Sequence, residues 1–415
     1  MDFNTIDGIP TLNFDMIQTV ALASLILFLG YFLIRKWKVL DRFAIPAPVV
    51  GGLTFATFAF ISRQTGLFAF QLDTTLLSPF LIAFFTSIGL GASFSLFKVG
   101  NRQIIIFWVL ASFLAILQNV VGVFMAMLMG VNPILGLIAG SVTMTGGHGT
   151  GFAFGPIFES LGMKGATTCC MASATFGLIA GGLIGGPVGI YLINNKMFEK
   201  HENKTPLEKR VTVETMDKMA TKKEEVAGQS AYQFLKYMTI ILLCMWLGSI
   251  VSKGFESRGI TLPAYIGAML VAAALRNLFD YSKILKISQN YVELLGSIAL
   301  SLFLSMALMN LKLWELLDLA APMLIILFIQ VILMALYAIF ITFQFMGKDY
   351  DAAVMASGHC GFGLGATPTA IANMGALVEK FGPATRAFLV IPIVGAFFVD
   401  FSNAILITFF TNVLK

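Results

Sequence analysis

Charge is the scarcest feature of this sequence. Asp, Glu, Lys and Arg make up 12% of its 415 residues, against 58% hydrophobic; soluble domains carry about a quarter charged residues. A water-soluble globular domain is therefore excluded. Apolar runs of about 20 residues recur along the chain, the length a membrane-spanning helix needs. The strict alternation of apolar and polar residues over about 10 residues that marks a transmembrane β-barrel strand is missing. The chain reads as an all-α polytopic membrane protein. Its first 15 residues, MDFNTIDGIPTLNFD, hold three Asp and no Lys or Arg, unlike the basic start of a cleaved signal peptide.

Cysteine and histidine are also few, at four and three. Neither CxxC nor HExxH occurs, so His148, His359, Cys169, Cys170 and Cys360 do not read as metal ligands. Adjacent cysteines inside an apolar run suit packing better than a disulfide frame. Ionisable groups within the spans are fewer still. Asp400, in AFFVDFSNA, is the one carboxylate well inside a span, and an aspartyl-type intramembrane hydrolase needs two sharing a site. No enzyme activity, cofactor or nucleic-acid partner is expected.

What the sequence has in place of charge is glycine, 39 residues. Ten spans are predicted, at about 17–34, 46–62, 78–97, 104–129, 166–193, 233–252, 263–280, 294–311, 320–346 and 385–412. A polar linker, 194–232, divides the chain into an N-terminal half, 1–193, and a C-terminal half, 233–415. Two further segments, about 134–158 and 352–376, are apolar but broken by glycine. Lys and Arg decide whether these two cross, because cytoplasmic loops collect positive charge. If neither crosses and both termini are outside, 21 of the 27 Lys and Arg fall inside; if both cross, 12 do. Each half of a 25-residue segment would reach about 18 Å at 1.5 Å per residue, partway through a core about 30 Å thick. Both segments are expected to be re-entrant hairpins, entering from opposite faces. Irregular backbone at that depth is tolerated only where protein or a water-filled cavity surrounds it.

The halves also repeat. IPAPVVGGLTFA (45–56) matches LPAYIGAMLVAA (262–273), PFLIAFFTSIGL (79–90) matches SIALSLFLSMAL (297–308), and Gln118 and Gln330 sit in matching spans. Five spans per half is an odd number, so the repeats are inverted. Inverted repeats with broken helices meeting at the midplane are a signature of secondary transporters.

A midplane anion would find almost no cationic side chain here, so backbone N–H groups and hydroxyls would have to hold it. SVTMTGGHGTGFAFGP (141–156) and GHCGFGLGATPTAIANM (358–374) supply both. The substrate-binding candidates are Thr145, Gly146, Gly147, His148, Gly149 and Thr150 in one tip, and Gly363, Gly365, Thr367 and Asn373 in the other. Each membrane histidine either hydrogen-bonds within its hairpin or touches substrate. Exposed carbonyls and amide oxygens suit Na+, with Asp400, Asn403, Ser402, Asn119 and Gln118 as candidates. The run GLIAGGLIGGPVG (177–189) reads as a close-packing stripe.

TGGHGTG, GLIGGP, SLFLSMALMNLKLWEL and above all GHCGFGLGATPTAIANM followed by GAFFVD resemble the bacterial sodium–glutamate symporters from about residue 40 onward. The resemblance implies L-glutamate and Na+ as partners, uptake across the bacterial inner membrane, and two inverted five-helix halves. Citrate carriers with Gly-Gly-Asn-Gly tips are similar in architecture. That likeness implies a lipid-embedded homodimer and an elevator-type motion, with spans 3–5 and 8–10 and both hairpins as the mobile core. A carrier for another small dicarboxylate, H+-coupled, is the alternative expectation.

Overall fold

The computed structural model describes residues 2–6, 9–37, 40, 45–93, 101–195, 227–257, 264–285, 287–311 and 319–414. The linker expected at 194–232 lies largely outside the described residues. Helices occupy every expected span. In the N-terminal half they are α1 (Met16–Lys36), α2 (Ala47–Gln64), α3 (Leu77–Gly91), α4 (Asn101–Leu128), α5 (Pro133–Leu137), α6 (Gly147–Ser160) and α7 (Ala166–Asn195). In the C-terminal half they are α8 (Ala227–Glu256), α9 (Ala264–Ser282), α10 (Gln289–Met309), α11 (Ala320–Tyr337), α12 (Tyr350–Gly363), α13 (Thr367–Phe381), α14 (Thr385–Ile393) and α15 (Val399–Val413). Among the described residues, six helices are long and apolar enough to cross a membrane.

Helix ends are set by local chemistry. Asp15 caps α1 through a reciprocal pair: Gln18 N–H donates to its Oδ1 at 2.8 Å, and Asp15 N–H donates to Gln18 Oε1 at 3.2 Å. This satisfies two of the first-turn donors that have no helical acceptor. Asn132 and Asp349 cap α5 and α12 likewise, accepting from Ile134 and Ala352 N–H. Three π-helical stretches, Ile138–Val142, Ala338–Thr342 and Val394–Phe398, widen the helices they join. The last follows Pro392, which removes one helical donor.

A small sheet departs from the all-α expectation. β1 (Asp2–Ile6) pairs antiparallel with β2 (Ile9–Phe14), and β2 pairs parallel with β3 (Ala69–Leu72), Thr11 opposite Ala69. Phe70 of β3 packs at a tilt on Phe55 of α2, with ring centroids 5.1 Å apart. Strands of six and four residues, paired across more than 50 residues of chain, leave too short a periodicity to read.

The helices pack as two bodies. α1, α2 and α10 pack together, as do α3, α9 and α10, and α8 lies against α9 and α3. The second body joins α4 to α5, α11 and α15, and α7 to α6, α12 and α13. The bodies meet where α10 touches α6 and where α3 touches the stretch Val394–Phe398. Spans 3 and 8, expected in the core, therefore belong to the first body. The reason is close approach between small residues: Gly89 of α3 abuts the Met269 carbonyl of α9, and Gly296 of α10 abuts the Ser87 side chain of α3. Polar contacts strengthen that body. Arg276 of α9 donates to Asp280 at 3.0 Å, to the Leu90 carbonyl at 3.1 Å and to Gln289 at 3.3 Å, while Asn277 donates to the Ala92 carbonyl at 2.9 Å.

The glycine stripe of α7 packs as its spacing predicts. Gly177, Gly181, Gly185 and Gly189 lie against α12, α13 and the turn between them. Ser357 donates to the Gly185 carbonyl at 2.8 Å and Asn373 to the Gly181 carbonyl at 3.0 Å. All four cysteines are buried free thiols.

Candidate functional site

The first glycine segment breaks at two points. Gly140 leaves helical geometry at φ −95°, ψ −141°, and Gly147 turns the chain at φ +61°. That left-handed conformation is one glycine adopts without a steric penalty. The second segment breaks after Gly363, and Pro368 sits in the first turn of α13. The two turns meet: a Cβ added to Gly147 would lie 3.0 Å from the Gly365 carbonyl oxygen.

Breaking helices in an apolar interior strands backbone groups, each costing about 1–3 kcal/mol if left unpaired. Buried amide side chains supply the partners. Gln118 Nε2 donates to the Gly363 carbonyl at 2.7 Å, and its Oε1 accepts from Thr145 Oγ1 at 2.7 Å. Gln118 thus ties one tip to the other. Gln330 of α11 donates to the Gln118 carbonyl at 2.7 Å. Asn119 Oδ1 accepts from Ser141 N–H at 2.9 Å, and Asn403 donates to the Ser141 carbonyl at 3.0 Å, so both brace the Gly140 break. Ser402 meets Ser112 at 2.8 Å and the Trp108 Nε1 donor at 3.3 Å.

A cavity of about 540 Å³ lies where the tips meet, on the seam between the two bodies. Eight of the ten substrate candidates line it: Thr145, Gly146, Gly147, His148, Gly149, Thr150, Gly365 and Thr367. Gly363 and Asn373 do not; Gly363 faces Met334 and Leu114, and Asn373 packs on α7. Of the five cation candidates, Asp400 lines the cavity, while Gln118, Asn119, Asn403 and Ser402 stand behind it as braces. The opposite wall is Phe84, Phe85, Ser87 and Ile88 of α3 with Glu293, Gly296, Ser297, Leu300 and Leu304 of α10.

That wall was not read from the sequence. Glu293 fell just outside a span set at 294–311, yet α10 begins at Gln289 and carries Glu293 to the cavity rim. The histidines also differ from the hairpin-internal expectation. His148 Nε2 meets Thr175 of α7 at 3.1 Å, and His359 Nδ1 meets Thr342, in the stretch after α11, at 2.8 Å. Each ties its glycine segment to a neighbouring element.

The lining has a definite chemical character. It offers the amides of a glycine-rich turn at the start of α6, threonine hydroxyls, and two carboxylates, Asp400 and Glu293, with no Lys or Arg among the described lining residues. Helix N-terminal amides hold anions, while the carboxylates favour an ammonium group or a metal cation.

A family model described as sodium/glutamate symporter matches residues 12–383. A sodium/glutamate symporter of Haemophilus influenzae is 43% identical over 397 residues, 95% of this chain and 96% of its own. One of Escherichia coli is equally identical over 95% of this chain and 97% of its own. Among solved structures, the sodium proton antiporter MjNhaP1 of Methanocaldococcus jannaschii aligns over 96% of this chain and 98% of its own, with a TM-score of 0.42 and 14% identity. The motifs GHCGFGLGATPTAIANM and TGGHGTG thus carried a true likeness, and the chain belongs to the sodium/glutamate symporter family.

Proposed function

We propose that this chain is a secondary active transporter coupling inward Na+ movement to L-glutamate uptake. The observation that carries the reading is the cavity between the glycine tips, which pairs bare amides with Asp400. In the proposed complex, amides and hydroxyls of Thr145–Thr150 hold a substrate carboxylate. Gly365 and Thr367 close over it from the second tip, and Asp400 balances the substrate ammonium or a Na+ ion. Gln118, Asn119, Asn403 and Ser402 act as positioning residues.

The same reading assigns the two glycine segments as re-entrant hairpins of inverted repeats, 1–193 and 233–415, joined by a cytoplasmic linker. Both termini lie outside the bacterial inner membrane. The division into two bodies that touch at few helices supports alternating access by an elevator-like slide of the second body along the first, within a homodimer. The seam placement of the cavity supports this too, since a site between bodies changes access when they move. In this orientation the cavity rim at Glu293 faces the cytoplasm.

The deciding experiment is L-glutamate binding to purified protein, titrated with Na+ and, separately, with K+ at matched ionic strength. Glutamate affinity that rises with Na+ alone is expected. Affinity set by pH and indifferent to Na+ would instead point to an H+-coupled dicarboxylate carrier.

A further inference from the structure

A second cavity, of about 430 Å³, lies farther along the same seam. Its walls continue those of the first. α10 gives Leu300 and Leu304 to the first cavity and Ala307 to the second, which Asn310 and Leu311 join just past its end; α6 gives Gly149 to the first and Phe152 and Pro156 to the second. Steps of three and four residues stay on one face of a helix. Both cavities therefore open on the same strip of α6 and of α10.

An aromatic contact lies between the two linings. Phe152 of α6 meets Phe303 of α10 edge to face, with ring centroids 5.2 Å apart, and both rings are buried. One turn before Phe152, Gly149 already faces Phe84 and Leu300 in the first cavity. The Phe152–Phe303 contact thus lies between the turn of α6 that lines the first cavity and the turns that line the second. It is made by two bodies that otherwise touch little.

The second cavity differs in charge from the first. It has both signs, Lys164 and Glu159, with Thr167, Thr168 and Asn310 as further polar groups. Glu159 Oε1 accepts from Thr167 N–H at 3.0 Å, which fixes the carboxylate at the rim. One ammonium beside one carboxylate suits a molecule with both ends, an amino acid with an acidic side chain, better than a bare cation or a simple anion. Lys164 and Glu159 are both exposed, so water screens each contact and the hold is weak, as a site of passage requires.

We propose that the second cavity is a transit site for an acidic amino acid, and that the Phe152–Phe303 contact is the layer closing the way from it to the tip cavity. The inference rests on the functional reading above, which makes this the periplasmic end. Opening requires α6 to shift against α10, which parts the two rings.

The test uses full-length protein in right-side-out vesicles and a membrane-impermeant maleimide, against which the four buried native thiols are shielded. Asn310→Cys should label quickly from outside and Leu300→Cys slowly, until Phe303→Ala is added, when the rate of outside labelling of Leu300→Cys should rise several-fold. Phe152→Ala tests the same layer from the other body if Phe303→Ala does not fold, judged by monodisperse gel filtration. Leu300→Cys silent from outside with both alanine variants, or labelled equally without them, overturns the barrier. Asn310→Cys labelling only from the cytoplasmic side would instead overturn the orientation proposed above. Lys164→Gln should raise KM for external glutamate several-fold at unchanged kcat, with equilibrium binding in detergent unaltered. An unchanged KM overturns the transit site.

Discussion

Replacing Gly147 by alanine tests the tip cavity where it is most constrained. Gly147 has φ +61°, and an L-residue in the left-handed region costs about 1–2 kcal/mol. The new methyl would also lie 3.0 Å from the Gly365 carbonyl oxygen, closer than ordinary contact, so the two tips must part by a few tenths of an ångström. If substrate requires the tips as the structure holds them, binding must restore that geometry against the strain. A penalty of 1–2 kcal/mol then appears as a rise in glutamate Kd of about 5–30-fold. Gly186 is the control. It sits inside α7, and a Cβ there meets nothing within 4 Å, so Gly186→Ala should raise stability by about 0.5–1 kcal/mol through lower backbone entropy in the unfolded chain. Calorimetric titration with glutamate at saturating Na+, paired with thermal unfolding in detergent, reads both effects. Wild-type affinity in Gly147→Ala would refute the argument, since neither strain nor contact would then matter to the site.

Other outcomes follow from the same geometry. Gln118→Leu removes the bonds to the Gly363 carbonyl and to Thr145; with about 1–3 kcal/mol per stranded buried group, a lowered Tm and weakened glutamate binding are expected, and an unchanged Tm would mean that water replaces both bonds. Asp400→Asn should leave the protein folded but blunt the Na+ dependence of glutamate binding; full Na+ dependence would remove Asp400 from the ion site. Gly185→Ala should cost folded protein where its neighbour Gly186→Ala does not, because a Cβ there runs into Asn373 and lies 3.0 Å from the Ser357 carbonyl; equal expression and melting of the two variants would contradict the packing described. In proteoliposomes, each Na+ beyond one per glutamate contributes about 2.3 kcal/mol per 100 mV, so an imposed potential without a Na+ gradient drives accumulation only if more than one Na+ moves per cycle.

Helix positions were legible because apolar runs of this length have one stable form in lipid. The breaks in the two glycine segments were legible because runs so rich in glycine make poor material for an unbroken helix, and the chain does turn at Gly140, at Gly147 and after Gly363. The chemistry behind the tips was less so. Gln118 and Asn119 read as ion ligands because polar side chains mid-span invite function, yet their oxygens are occupied by Thr145 and by Ser141 N–H. Nothing in one chain of letters tells a ligand from a partner for broken backbone, since both need a buried oxygen. The far wall escaped for another reason. Phe84, Ser87, Glu293 and Leu300 belong to ordinary amphipathic helices, and only the crossing of α3 with α10, set by Gly296 against Ser87, turns them toward the site. The β3 pairing is non-local, and four residues carry too little pattern to announce it.

The charge of the cavity bears on why two solutes should move together. Asp400 and Glu293 are the acidic side chains of the lining, and its positive character is confined to backbone dipoles. On the reading proposed above, glutamate, a net monoanion, would meet acidic side chains and no cationic one in a medium where charges are poorly screened. A bound cation removes that penalty, and glutamate in turn makes the cation's position more favourable. The two effects are one coupling free energy, so Na+ must raise glutamate affinity by the same factor as glutamate raises Na+ affinity. Asp400 and Glu293 differ in where they contribute. Asp400 belongs to the body of the tips and, on the elevator reading proposed above, would travel with the substrate, whereas Glu293 would stay with α10. Neutralising Asp400 therefore alters the coupling on both sides of the membrane. Neutralising Glu293 alters it only where the cavity faces α10's rim, and that difference between two carboxylates in one pocket is what separates a moving site from a fixed one.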